Sequence, residues 1–565
     1  MLLYHLELRK EYRYRPDKAV LAALYVGKHH PPPELLLREV VPQLRQLHAN
    51  GVPTSAGLRY PRLVWFSGDL QAKVMIMETV SWAGYWGCMW CEIQGEHKGG
   101  RMRFNAALGA GEPRTAESVA AQATEASVRG EAVFGVKGLT VMFGIPGYDV
   151  VRGNLADIMH LWSNLCEREN PARFSEKPKS KSKARHLLPA VDAALAALRP
   201  LSTFSRQPQP MSDFQYWKCS EKRNWLLYHA PYILAPLLED QGAAVAHLLL
   251  SATAFWNLTT EDVPEAVVAE AGAMLATFGD MAEDVYGDCH STLNNHIAAL
   301  HAARHVVLGG PAWVFASWAM ENFAGVLLGK FNGTRGHLHQ IARNLALLAQ
   351  LPKLWGVLLR TTPLVPEPLH RLFDIFHHSS RLHVTDGFHG AGTVQLPGPE
   401  WVPVVAFVQE AGASVTGLVS FQRFVRDGHV HTTQEYSAAM RRDNSCCFLQ
   451  TPGGIAVPVR VVHFARVTVE GGGPLPLDLV VFRHFAVEPL WFHSLDWSAL
   501  PNCIREWRAA GRLLPQALQA SLSRTDAAPL CVAYARDLRD LLLLQHVPPR
   551  DDVLLMRIAN NVEEL

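Results

Sequence analysis

Residues 61–96 read PRLVWFSGDLQAKVMIMETVSWAGYWGCMWCEIQGE, and how this stretch is parsed decides the fold assigned to the chain around it. A short apolar run, Leu63-Val64-Trp65-Phe66, stops at Ser67-Gly68-Asp69. β-Branched and aromatic residues bounded by Gly and Asp predict a strand and its end. From Leu70 to Trp82 the sequence is helix-compatible. Ser67 or Asp69 is available as N-cap, because a short oxygen-bearing side chain accepts the orphan N–H groups of a first turn. The stretch closes on Gly87-Cys88-Met89-Trp90-Cys91, a Cys-x-x-Cys on a turn. It therefore offers a carboxylate at a strand tip, a helix, and a pair of thiols.

Upstream, residues 2–9 (LLYHLELR) alternate loosely and residues 19–27 (AVLAALYVG) form a second strand-like run ended by Gly27. Pro31-Pro32-Pro33 punctuates, and residues 34–50 have apolar side chains at helical spacing (Leu35, Leu36, Val40, Val41, Leu44, Leu47) with Asn50-Gly51 as a stop. The predicted order is strand, strand, helix, acid-tipped strand, helix. It is similar to the α/β ribonuclease-H-like core with its first strand missing. That fold implies a first catalytic Asp on the absent strand; Asp17, in a Tyr-Arg-Pro-Asp-Lys turn, does not replace it.

The 565 residues exceed one ordinary core and predict two to four domains. With 48% hydrophobic and 19% charged residues the composition is globular, and the net charge of +1 confines any nucleic-acid contact to local basic patches. Nine cysteines, odd in number and scattered, predict a reducing compartment rather than a disulfide framework. The N-terminal apolar run is too short for a signal peptide, and the most apolar interior run, residues 243–258, falls short of the roughly 20 residues a membrane span needs. A nuclear or other intracellular, non-secreted protein without membrane attachment is the expectation.

Downstream, residues 98–130 read as a loop plus a polar helix, and residues 135–145 (GVKGLTVMFGI) as another strand. Asp157-Ile158-Met159-His160 puts an acid and an imidazole three apart, on one face of a helical turn. Residues 177–185 (KPKSKSKAR) form a basic loop. Residues 187–351 are dominated by helical patterns. Between residues 387 and 485 short β-branched runs (VPVVAFVQ, GLVSFQRFVRDGHVHTT, IAVPVRVVHFARVTV, LDLVVFRHF) predict a small antiparallel sheet or barrel. The domains expected are thus 1–165, a partial α/β core with the Cys-x-x-Cys knuckle; 166–186, a basic loop; 187–351, an all-α insertion with the last core helix; 387–485, a β-rich domain; and 486–565, a mixed C-terminal segment.

Taken in order, several motifs give the chain a resemblance to the transposases of CACTA-type DNA transposons, over most of residues 1–345. They are Asp69 within residues 63–72, Gly87-Cys88-x-x-Cys91, Tyr148-Asp149-x-x-Arg152-Gly153 leading to Asp157-x-x-His160, and Trp217-Lys218-x-Ser220-Glu221. Beyond them come Asn295-His296 with His301, Gly310-Pro311-x-Trp313, and Met320-Glu321-Asn322 followed by Gly333-Thr334 and Gln340. The resemblance implies Mg-dependent DNA cleavage and strand transfer, with transposon-end DNA and copies of the same chain as partners. It makes Asp69 the second acid of a metal-holding triad. For the third acid Glu321 is preferred over Glu221, whose Lys222 and Arg223 neighbours allow a surface ion pair.

Cys88 and Cys91 with His160, and Asp157 as fourth ligand or orienter, suggest a structural zinc site; His97 is a local alternative, and a reduced cysteine pair packed beside Trp86 and Trp90 is the non-metal reading. The histidines of residues 295–305 are further candidate ligands or plain core groups. Trp217 could stack on an unpaired base or be a buried core tryptophan, and Lys218, Lys222, Arg223 and Arg335 could touch phosphate or simply be solvated. Relative to the family pattern, an Asp-Gly strand is expected just ahead of Met1. Without it two carboxylates cannot hold two Mg²⁺ ions, so catalysis is expected to be impaired. The competing expectation is a domesticated, inactive protein that binds DNA or another protein.

Overall fold

The computed structural model describes residues 2–15, 18–25, 27–105, 110–174, 184–238, 240–287, 290–328, 336–362, 366–369, 386–395, 398–427, 429–470, 476–488, 490, 497–514, 517–546 and 552–558. Arg335 and most of the basic loop at 177–185 lie outside them. The chain forms two compact units: residues 1–185 with 253–380 and 560–565, and residues 186–252 with 381–559. The division runs through the helical stretch 187–351 rather than around it.

In the first unit the expected sheet is represented, among the described residues, by three short antiparallel hairpins: Leu2–Leu3 with Val20–Leu21, Val52–Thr54 with Gly57–Arg59, and Glu96–Lys98 with Arg101–Arg103. The run Leu63-Val64-Trp65-Phe66 is extended but makes a single parallel bridge, Phe66 to Asn154. That bridge is held by Phe66 N–H to Gly153 O (2.6 Å) and Leu155 N–H to Phe66 O (3.1 Å). The predicted helix over 34–50 is broken into Pro33–Leu37 and Val40–Asn50. The predicted strand at 135–145 is instead a turn and the 3₁₀ segment Val141–Gly144, capped by Thr140. Its glycines and the positive φ of Gly135 favour a turn over a ladder.

Helices make up the bulk of this unit. Ala116–Arg129 begins on a Thr115/Ser118 capping box and ends on left-handed Gly130. Ile158–Arg173 buries one face with Trp162 edge-on to Phe255 at 6.1 Å between centroids. Glu265–Tyr286 packs on Leu293–Leu300 and Ala302–Gly309, and Trp318–Leu328 follows.

The second unit carries the large antiparallel sheet. Its longest strand, Ala456–Glu470, pairs with Leu477–His484 on one side and with Ser414–Phe421 and Cys446–Gln450 on the other; Phe464 stands opposite both Val480 and Phe421. The sheet continues through Leu538–His546, Asp552–Arg557, Ala517–Ser521 and Ala486–Glu488, so residues predicted as a mixed tail belong to it. The run VPVVAFVQ is a helix, Val402–Glu410, not a strand. Pro403 suits a first turn, and buried Trp401, Val404 and Val408 recur at helical spacing against Leu418, Ala465, Val467, Leu479 and Val481. Among the described residues no helix is long and apolar enough to cross a membrane.

Candidate metal centre and carboxylate pocket

The thiol pair lies on a buried turn. Cys88 and Cys91 point at two imidazoles from far along the chain, and the four ligand atoms lie within 4.8 Å of one another. Cys88 Sγ is 3.4 Å from His301 Nε2, Cys91 Sγ is 3.3 Å from His296 Nε2, and the two Nε2 atoms are 3.1 Å apart. A tetrahedron drawn at ordinary Zn–S and Zn–N bond lengths has edges of roughly 3.3–3.8 Å. The donor set therefore fits one tetrahedral ion. Four Lewis bases, two of them imidazole nitrogens facing each other, converge favourably only around a cation or shared protons.

Local backbone explains how two histidines five residues apart can share a ligand. On an uninterrupted helix they would project roughly 140° apart. The helix Leu293–Leu300 stops at His301, whose φ of −117° breaks the regular turn before Ala302–Gly309 resumes. That break turns His301 back towards His296. His301 is then held by ring contacts, tilted against Trp90 at 5.6 Å and stacked on His305 at 6.1 Å and 17° between planes. Its Nδ1 is buried without a hydrogen-bond partner, so the Nε2 side and the ring faces fix it. Burial pushes its pKa down, keeping the imidazole neutral as a ligand must be. Of the two thiols, burial pushes Cys88 up, while hydrogen bonds from Cys88, His296 and His301 hold Cys91 down towards the thiolate.

The expected ligands His160 and Asp157 are not part of this centre. They form their own pair on the Ile158–Arg173 helix, Asp157 Oδ2 against His160 Nδ1, because a three-residue spacing on one helix brings them to each other. His97 lies exposed on the Glu96–Lys98 hairpin. The signal for the two histidines of the cluster is a His-x₄-His pair of zinc-ligand spacing 205 residues beyond Cys91, too distant for a local motif.

Asp69 is the N-cap of Leu70–Ile76 and accepts from Ala72 N–H at 2.6 Å. Asp157, almost wholly buried, caps its own helix through Met159 N–H (3.2 Å) and His160 N–H. Its Oδ1 also accepts Ser317 N–H at 2.8 Å, at the start of the helix that carries Glu321. Ser67 Oγ donates to Phe315 O, and Trp65 meets Phe315 edge-on at 6.4 Å. Three distant segments, 65–69, 157–160 and 315–321, are thus joined. Burial alone would lower the pKa of His160; the Asp157 hydrogen bond and the charges of Asp157, Asp69 and Glu321 more than reverse this, and the net shift is upward. A cleft beside it is lined by Gly68, Asp69, Asp157, His160, Asn164 and Asn294.

Lys73, on the helix that Asp69 caps, is fully buried. Its Nζ donates to Asn154 Oδ1 at 2.6 Å and lies 4.7 Å from the Phe66 ring centroid. Burial lowers its pKa to about 7, against the opposing pull of Asp157 and Asp69. Asn154 also accepts the Trp90 indole N–H on its carbonyl, so one residue touches both the knuckle and the buried Lys73 ammonium.

The remaining site candidates fall in the second unit. Trp217 is buried, not free to stack on a base: its Nε1 donates to Pro210 O at 3.1 Å and its ring packs on Phe214 and Trp225. Arg223 and Lys222 are buried too, Arg223 bonded to Asn224 Oδ1, because the apolar helix they enter runs into the core; this removes both from direct phosphate contact. Lys218 is exposed. Glu221 accepts Lys218 N–H at 2.8 Å as the far half of a helix cap, with Arg206 4.0 Å away, and is not among the charges that act on His160. No family model and no curated protein matches this chain.

Proposed function

We propose that the first unit derives from the catalytic core of a CACTA-type DNA transposase, with a ribonuclease-H-like ancestry, and that Asp69 and Glu321 are two of the carboxylates that hold divalent metal for DNA phosphoryl transfer. The supporting observation is the joining of segments 65–69, 157–160 and 315–321, which brings the influence of Asp69, Asp157 and Glu321 onto one imidazole across some 250 residues of chain. Oxygen ligands of this kind suit Mg²⁺. Bound there, the ion would polarise a phosphoryl oxygen and acidify a water. Asp157 is tied to the start of the Glu321 helix through Ser317 N–H, and Asp69 is among the residues that line the cleft. The buried Cys88, Cys91, His296 and His301 set is read as a structural zinc centre, since all four positions of a tetrahedron are protein atoms and none is left open.

The test is metal binding by the full chain. Elemental analysis should return one tightly held zinc. Mn²⁺, used as a Mg²⁺ probe by electron paramagnetic resonance, should bind more weakly by at least tenfold in Asp69→Asn and in Glu321→Gln, and DNA should bind with salt dependence. Equal Mn²⁺ binding in all three proteins would end the reading of the acids. The second reading, a domesticated protein that binds DNA or protein without cleaving, draws on the commitment of Asp157 and one oxygen of Asp69 to helix capping. DNA binding unaffected by Asp69→Asn together with absent Mn²⁺ binding would favour it.

A further inference from the structure

We infer that Arg114 is the positioning residue for the sulfur side of the metal centre, an assignment that rests on the zinc reading above. Every polar atom of this residue that has a partner is turned on the knuckle or its frame. Its backbone N–H donates to Trp90 O at 3.0 Å. Its Nε donates to Cys88 O and to Cys91 O, both at 3.2 Å. One residue thus gathers three carbonyls of the four-residue turn that carries both thiols. The far end of the guanidinium is held in turn: Nη1 donates to Gln122 Oε1 at 2.8 Å and Nη2 to Phe134 O. Gln122, on the capped Ala116–Arg129 helix, reaches Glu92 on the knuckle's exit. Bridge pairing of Cys91 with Pro113, and Glu92 N–H on Glu112 O at 2.8 Å, align the two segments.

The electrostatics point the same way. Arg114 is 5% exposed, and its hydrogen bonds go to neutral oxygens. A buried guanidinium without a contacting carboxylate is costly unless negative charge lies close by. The charges that favour it are Cys88, Glu92 and Cys91. Sulfur ligands to a metal carry that negative charge permanently. Arg114 accordingly does two things: its planar fork fixes the turn so that both Sγ atoms face one point, and its charge sits beside the thiolates. To release the metal the turn must open, which breaks the bonds to Cys88 O, Trp90 O and Cys91 O together.

The zinc-loaded full chain, chased with a chromogenic chelator well below its melting temperature, tests this. Arg114→Gln should release zinc about ten- to a hundred-fold faster than the wild type, the usual effect of losing an outer partner. Arg114→Lys keeps the charge but not the fork and should also release faster. Co²⁺-substituted protein should keep the same d–d bands in all variants, since the ligands are unchanged. A second variant, Gln122→Met, leaves Arg114 in place but removes the partner of its Nη1, and should move the rate in the same direction by a smaller factor; it carries the test if Arg114→Gln does not fold. Wild-type rates in Arg114→Gln, or in Gln122→Met where that variant carries the test, would overturn the assignment while leaving the zinc site standing. Wild-type rates in Arg114→Lys would overturn the role of the fork. A wild-type chain that retains no zinc would remove the metal reading and this one with it.

Discussion

The knuckle and the cleft lie in the same unit, yet they are built on opposite plans. Around Cys88 and Cys91 all four ligand side chains are buried, converge on one point, and are held from outside by Arg114, Trp90 and His305. Around Asp69, by contrast, the acids are graded from buried Asp157 through half-buried Asp69 to exposed Glu321, and two of the three spend oxygens on helix N-termini. Soft ligands enclosed by protein make a centre that is part of the fold. Hard oxygen ligands at the edge of a cleft make a centre that water and a phosphate can complete. Under the proposed reading, an enclosed Cys/His cluster suited to holding structure stands beside a more open group of acids, and each half of that contrast can be broken independently.

The largest effect should come from the enclosed centre. Replacing Cys88 and Cys91 together by Ser removes both sulfurs from a site where binding free energy is folding free energy. The expected cost is several kcal/mol, a fall in melting temperature of roughly 10 °C for a unit of this size, with zinc absent from the purified protein. Chelator treatment of the wild type should bring its melting temperature down to that of the variant. A double variant that melts with the wild type and is insensitive to chelator would mean that the cluster is only a packed group of thiols and imidazoles.

Next in size is Lys73, which lies between the two sites. Burial lowers its pKa from 10.5 to about 7, so between those values the unfolded chain binds a proton that the folded chain does not. Stability must then rise with pH across that window, because it rises wherever the unfolded state holds more protons. Below about pH 7 both states are protonated and the burial penalty is fully present; above about 10.5 it is gone. From pH 7.5 to 9.5 the wild type should gain about 2 kcal/mol relative to Lys73→Met, in which this titration is absent. Urea unfolding of both proteins at the two pH values measures it. Parallel pH profiles would show that the ammonium is not held in the buried, neutral-lined position between Asn154 and Phe66.

How much of this could be read from the chain follows from how local each signal is. The N-cap role of Asp69, the polar helix at 116–129, the Asp157/His160 turn and the β-rich second half were legible, since caps, three-residue spacings and β-branched runs act within a few residues. The fourfold cluster was half legible. Cys-x-x-Cys announces itself, but His296 and His301 reach it only because the helix breaks at His301, and nothing in the spacing alone foretells that break. Nearness in sequence favours His160, yet its three-residue spacing on one helix pairs it with Asp157 instead. For Trp217 the buried-core alternative holds, while Lys222 and Arg223 suggest a phosphate contact by residue type alone that their burial in an apolar helix removes. Residues 402–409 were misread as a strand because apolar β-branched runs fit both periods, and Pro403 with the 401, 404, 408 spacing decided for helix.

The smallest expected effect on stability is the one that sharpens the contrast most. Asp69→Asn keeps a side-chain oxygen for Ala72 N–H, and an Asn cap is as good as Asp. Glu321 is exposed in the first turn of its helix, where losing a favourable charge costs a few tenths of a kcal/mol. Both Asp69→Asn and Glu321→Gln should melt within about 2 °C of the wild type and keep their zinc, as differential scanning fluorimetry and elemental analysis would record. Asp157→Asn should not be silent: its carboxylate holds Ser317 N–H and His160 at once, and about 1–3 kcal/mol should go with the charge. If instead Asp69→Asn or Glu321→Gln lowers the melting temperature as much as Asp157→Asn, their carboxylates are structural ties and not free ligands. The cleft would then belong to the fold in the same sense as the knuckle, its carboxylates spent on holding segments of the chain together.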